Sequence, residues 1–217
     1  MCPVYSARRV IKKGFIMANN VIGNSNGKKK LVFTYNAPVT LTFAIVSLIA
    51  LGIGAFTNGA STKLLFSVYR SNMNIFFFIR LFGHVLGHSD IAHYTGNMML
   101  FLLLGPVVEE RYGSKDMIIM ISATALVSGV INIIFFPKVM LLGASGIVFM
   151  LIVLVSAIDL KKGEIPITMI LVIVIYLGKE IWNMVAAHDN ISQLTHIIGG
   201  ICGAFFSQLS AYDKSKK

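Results

Sequence analysis

Four side chains in this sequence could do chemistry together if the fold brought them to one place: Ser145, His196, Asn97 and His93. A serine hydroxyl becomes a useful nucleophile when a neighbouring base takes its proton. Imidazole titrates near neutral pH and can be that base. Ser145 and His196 therefore read as nucleophile and general base. Acyl transfer also needs donors aimed at the oxygen that gains negative charge. Asn97 and His93 stand four residues apart, hence on one face of a helix, and both can donate. The backbone N–H of Ser145, near a helix start, is a third donor. Gly143 and Gly146 flank the serine without side chains, permitting tight turns and close approach by a substrate.

The elements that must position these groups are membrane helices. Hydrophobic residues make up 56% of the 217-residue chain and charged residues 13%, with a mean hydropathy of +0.77. A soluble domain carries about 25% charge, so this chain has too little to cover a surface facing water. Disorder, a collagen-like repeat and a disulfide scaffold are excluded as main readings. Cys2 and Cys202 lie at opposite ends and suggest neither a disulfide framework nor a zinc cluster. The net charge of +10 does not point to nucleic acid, because the basic residues gather at the two ends of an apolar middle.

A spanning helix needs about 20 mostly apolar residues. Six runs qualify: Pro38–Phe56, Ile91–Val108, Met117–Phe136, Val139–Ile158, a fifth from near Pro166 to about Ala187, and Ile191–Tyr212. The sequence thus predicts an all-α membrane protein of six transmembrane helices over residues 38–212. Residues 1–37 read as a polar, basic cytoplasmic tail and residues 213–217 as a basic cytoplasmic end. Residues 57–90 are too apolar for a simple loop, yet Ile75–Phe82 is too short to span, so this segment is expected to lie partly submerged between the first two helices. No internal repeat is evident, which argues against a small transporter of the inverted-repeat kind.

With both termini inside, fourteen Lys/Arg face the cytoplasm and four the opposite side, the asymmetry of positive-inside sorting. The second, fourth and sixth helices then enter from outside. That puts His93 and Asn97, Ser145, and His196 in one outer layer. Ser145 lies 14 residues before Asp159, about 21 Å along a helix, which does not cross a core of roughly 30 Å. The serine is sunk in the bilayer and needs a wet cavity around it. Polar groups converging at one depth of a membrane mark a site.

The sequence resembles the rhomboid family of intramembrane serine proteases over about residues 38–212. Gly143-Ala144-Ser145-Gly146 matches the family's GxSG nucleophile motif. His196, followed by Gly199 and Gly203, is similar to the catalytic histidine and small residues of the last core helix. His93-Tyr94-Thr95-Gly96-Asn97 matches HxxxN, and Glu109-Glu110-Arg111 resembles the acidic-x-Arg stretch that ends the second helix. The resemblance implies a six-helix rhomboid bundle and a Ser145–His196 dyad with no acidic third member. It also implies an oxyanion hole of Asn97, His93 and the Ser145 amide, and cleavage of transmembrane segments of other membrane proteins near the outer face. The location implied is the plasma membrane, with no cofactor. Two departures stand out: Ile79 precedes Arg80 where the family often has tryptophan, and Phe149 replaces a tyrosine beneath the histidine.

The main competing reading is a catalytically silent rhomboid-like protein that captures transmembrane helices; the retained dyad and oxyanion residues argue against it. His84 and His88 are four apart, but no HExxH and no acidic ligand accompany them, so they read as structural, with no metal. Gly199 and Gly203 read as helix-packing positions. Lys179 and Glu180, near Tyr176 and Trp182, suit an outer interface where long side chains snorkel.

Overall fold

Proline is tolerated in a helix's first turn, where its missing N–H would have had no partner, and Pro38 stands at the start of α1 (Pro38–Phe56). Ala37 before it supplies no side-chain cap. The cap comes from α4 (Ile91–Tyr112), whose Glu109 accepts the Val39 and Thr40 N–H groups, both at 2.9 Å, and the Thr40 hydroxyl at 2.8 Å. Ser114, opening α5 (Ser114–Phe135), donates to the same carboxylate at 2.7 Å. One acid thus ties three helices at the level of the Glu109–Ser114 turn.

The structure, a computed structural model, describes residues 36–160, 167, 170, 171, 174 and 190–215. Between α1 and α4 lie α2 (Ala60–Leu65), α3 (Ile75–Gly83) and a 3₁₀ turn (His84–Leu86). After α5 come α6 (Ser145–Leu160) and α7 (Asn190–Ser215). Among the described residues α1, α4 and α5 are long and apolar enough to cross a membrane, and the apolar stretches of α6 and α7 are shorter. The fifth expected span, with Lys179 and Glu180, falls mostly outside the described residues; Ile167, Ile170, Leu171 and Val174 are helical.

Polarity is turned inward, as in a bundle solvated by lipid. Leu41, Ile45, Leu48 and Ile49 of α1 are exposed, while Thr40 and Ser47 are buried. On α5 the buried set includes Thr124, Ser128 and Asn132, a stripe at four-residue spacing. α6 is enclosed most fully, with Val148, Met150, Leu151 and Leu154 completely buried. It packs against α4, α5 and α7. The architecture is an all-α membrane bundle.

The fourth expected helix needs correction. It starts at Ser145, not Val139, and the residues before it run without helix. Leu141 exchanges two backbone hydrogen bonds with Val68, both 2.9 Å. The Asn132 side-chain amide donates to the carbonyls of Val68 at 3.2 Å and Val139 at 3.1 Å. Irregular backbone at membrane depth survives only where the protein itself satisfies its polar groups, and Val68 and Asn132 do so here.

The segment 57–90 is held without the tryptophan of the family pattern. Arg80 is buried, its guanidinium 4.5 Å from the Tyr69 ring centre. It donates to the Ser71 hydroxyl and to the Leu64 carbonyl at 3.5 Å. Ile79 beside it faces outward.

Candidate active site

Ser145 is half-buried and is the first residue of α6. The turn that delivers it depends on Gly143, whose φ of +120° disfavours any side chain. Its N–H donates to the His84 carbonyl at 2.9 Å. A Cβ at 143 would stand 2.8 Å from His93 Nε2 and 3.8 Å from Asn97 Nδ2. The His93 ring and the Asn97 amide therefore face the turn just ahead of the serine. The first N–H groups of a helix have no partner inside it, and Ser145 opens α6.

α7 approaches the serine helix backbone to backbone. A Cβ on Gly146 would lie 2.9 Å from Thr195 Cγ2 and 3.3 Å from its carbonyl oxygen. A Cβ on Gly199 would lie 2.9 Å from the Gly146 carbonyl carbon, and one on Gly203 2.6 Å from the Met150 carbonyl oxygen. Small residues on both helices make this approach possible. It sets His196, next to Thr195, at the same junction as Ser145, next to Gly146. His196 is buried, and Phe149, one turn below the serine, stacks on its ring with centroids 4.6 Å apart and planes at 13°. The stack needs the aromatic face and not a hydroxyl.

Asn97 is 4% exposed, and its Nδ2 has no hydrogen-bond partner among the described residues. Buried donors are seldom left so. Beside the site lies a cavity of about 710 Å³, lined by Leu51, Ala55, Thr62, His88, Met140 and Leu142 among others.

The histidines before α4 have separate structural duties. His84 Nδ1 lies 3.1 Å from the Arg80 carbonyl and its Nε2 3.3 Å from the Ser128 hydroxyl. Burial pushes its pKa down to about 4. His88 Nδ1 meets the Leu86 carbonyl at 3.2 Å, and its ring abuts His93 edge to face at 5.0 Å. Burial, and secondly the neighbouring His93, push it down to about 4. Ser89 and Asp90, which the motif reading passed over, contact His93 directly: Asp90 Oδ1 accepts its N–H at 2.8 Å and Ser89 Oγ lies 3.2 Å from Nδ1. The signal was present as Ser-Asp immediately before an apolar run, an N-cap pattern.

Fold and site together define a helical membrane protein with a serine at a helix start, a histidine on the abutting helix and amide and imidazole groups facing the turn. The family model for the Rhomboid domain matches residues 76–212, more than half of the chain. The chain belongs to the rhomboid family, whose members act on transmembrane substrates within the bilayer. No curated protein matches the chain.

Proposed function

We propose that this protein is an intramembrane serine endopeptidase that cuts transmembrane segments of other membrane proteins near the outer face. Ser145 attacks the scissile carbonyl and His196 takes its proton. Asn97, His93 and the Ser145 N–H receive the oxyanion, and His196 returns the proton to the leaving amine. Water then releases the acyl group by the same steps in reverse. The route uses no metal and no cofactor.

The observation that carries this reading is the Asn97 amide, a buried donor without a partner among the described residues, beside the turn ahead of the serine. A substrate oxyanion would supply what it lacks. The wider reading is a six-span bundle in the plasma membrane, residues 38–212, between a basic tail and a basic end that are both cytoplasmic.

A fluorophosphonate probe on the purified protein tests it. Ser145 should be labelled, and Ser145→Ala and His196→Ala should lose both labelling and cleavage of a model transmembrane substrate while staying folded. A folded protein that neither reacts with the probe nor cuts would instead be a silent binder of transmembrane helices.

A further inference from the structure

Through Asn132, α5 holds two separate stretches of non-helical backbone at once. The residue lies on the last turn of α5 and is buried. Its side-chain amide has two hydrogens to give. The Val139 carbonyl, in the run that leads to Ser145, accepts at 3.1 Å. The Val68 carbonyl, in the segment between α1 and α4, accepts at 3.2 Å. Both neighbours are acceptors, so the amide nitrogen and not its oxygen must face them. The Val68 carbonyl also accepts the Leu141 N–H at 2.9 Å, which fills its two lone pairs.

What this clamp specifies is register. Val68 and Leu141 form a single antiparallel bridge, and among the described residues no strand continues it. A lone bridge lacks the repeated pairs that fix alignment along a longer ladder. A slip of one residue would move the run by about 3.3 Å and turn its side chains to the opposite face. It would also turn the Val139 carbonyl away from Asn132, because successive carbonyls in extended backbone alternate in direction. The amide therefore fits one register, the one that buries Leu141 with Val68 and Leu81. The same register carries through to the site. Two residues past Leu141, the Gly143 N–H meets the His84 carbonyl at 2.9 Å, and a Cβ at 143 would stand 2.8 Å from His93 Nε2. Ser145 follows two residues later. Misplacing a reacting group by about 1 Å costs on the order of 10²-fold in rate, and a slip of register moves it further.

We propose that Asn132 is a positioning residue for the nucleophile: its amide locks the run 139–143 onto the segment 57–90 in the register that sets the Gly143 turn against His93 and delivers Ser145 next to it. This rests on the protease reading above and adds to it a residue that touches neither the substrate nor the reacting atoms. Backbone carbonyls inside a membrane bundle have no water to turn to. The amide therefore also stabilises the fold, and activity has to be measured per folded molecule.

Two variants remove the clamp in different ways. Asn132→Leu keeps a similar shape, lacks both donors and is the better helix former. Asn132→Ser stays polar, but its short hydroxyl bonds back to its own helix. Thr40→Val is the control: it loses a buried hydroxyl hydrogen bond to Glu109, away from the serine turn. Cleavage of a model transmembrane substrate, fluorophosphonate labelling rate, Tm and hydrogen exchange of the backbone at 139–143 are measured for each, with Ser145→Ala alongside. Both Asn132 variants should lose about 10²-fold in kcat per folded molecule, with KM near wild type. The labelling rate should fall with kcat, because a small probe needs the serine and its turn and not an extended substrate. Exchange at Leu141 and Gly143 should quicken in both. Thr40→Val should lower Tm and leave kcat, labelling and exchange at 139–143 as in wild type. A wild-type kcat per folded molecule in either folded Asn132 variant would overturn the proposal, as would an equal loss in Thr40→Val. If Ser145→Ala still cuts, the protease reading fails, and exchange alone decides the clamp: unchanged exchange at 139–143 in the Asn132 variants would show that the amide does not set the register.

Discussion

Gly199 lies against Gly146 so closely that a Cβ on it would come within 2.9 Å of the Gly146 carbonyl carbon and 3.0 Å of Phe149 Cβ. The first neighbour is backbone and cannot rotate away, so a methyl at 199 must push α7 off α6. That displacement would carry His196 away from Ser145. Overpacking of this kind typically costs about 1–3 kcal/mol. Gly199→Ala should lower the unfolding midpoint and lose most cleavage. Gly200→Ala, whose Cβ among the described residues would meet only Val153 Cγ2 at 3.9 Å, should keep both. Equal behaviour of the two variants would show that the close approach does not position the dyad.

Asn97 allows activity to be separated from stability. Its Nδ2 is buried without a partner among the described residues, so Asn97→Ala breaks no described bond from that atom and removes an unsatisfied donor. The folded state should be as stable as wild type or slightly more so. Loss of one oxyanion donor should nevertheless cost about 10²–10³ in kcat, because the oxyanion exists only in the transition state and intermediate. Ser145→Ala should show no covalent route at all. The check is kcat and thermal unfolding on the same preparations. A wild-type kcat in stable Asn97→Ala would make Asn97 a packing residue.

Why these residues were legible, and others not, follows from what hydropathy measures. Ser145, His93, Asn97 and His196 could be singled out together because apolar runs and charge asymmetry assign them one expected layer without knowledge of contacts. The start of α6 could not. Residues 139–142 are as apolar as a helix, and their extended course depends on Val68 and Asn132, distant in sequence. The same holds for Arg80, whose ring partner is Tyr69 rather than an adjacent tryptophan. The hydrogen bonds of Ser89 and Asp90 to His93 were missed because they are local and lie outside the motif.

His84 and His88 make stability depend on pH. Both are buried, with pKa values of about 4 against an ordinary 6.5. The unfolded chain therefore binds more protons between those values, and stability rises with pH there. The contribution is fully present above about pH 6.5 and is lost as pH falls toward 4, by on the order of 1 kcal/mol per pH unit for each fully titrating group. Unfolding midpoints in detergent should fall steadily from pH 7 to pH 4. His84→Gln should flatten the slope even if its absolute midpoint is lower. A midpoint independent of pH in wild type would mean that neither imidazole is held neutral by burial.

Glu109 should matter to the fold and not to the chemistry. Its carboxylate accepts four hydrogen bonds, from the Val39 and Thr40 N–H groups and the Thr40 and Ser114 hydroxyls. Negative charge at a helix N-terminus is also favoured by the helix dipole. Glu109→Ala strands these donors in a buried place, where each unsatisfied group costs about 1–3 kcal/mol. Glu109→Gln keeps one acceptor oxygen and should lose less. The order of unfolding midpoints should be wild type, then glutamine, then alanine. Glu109 stands about three turns along α4 from Asn97, on the far side of the bundle from the serine turn. The fraction of each variant that remains folded should therefore label with a fluorophosphonate at the wild-type rate. A fall in labelling rate per folded molecule, with the midpoint unchanged, would mean that the tie at Glu109 governs the site's geometry and not only the bundle's stability.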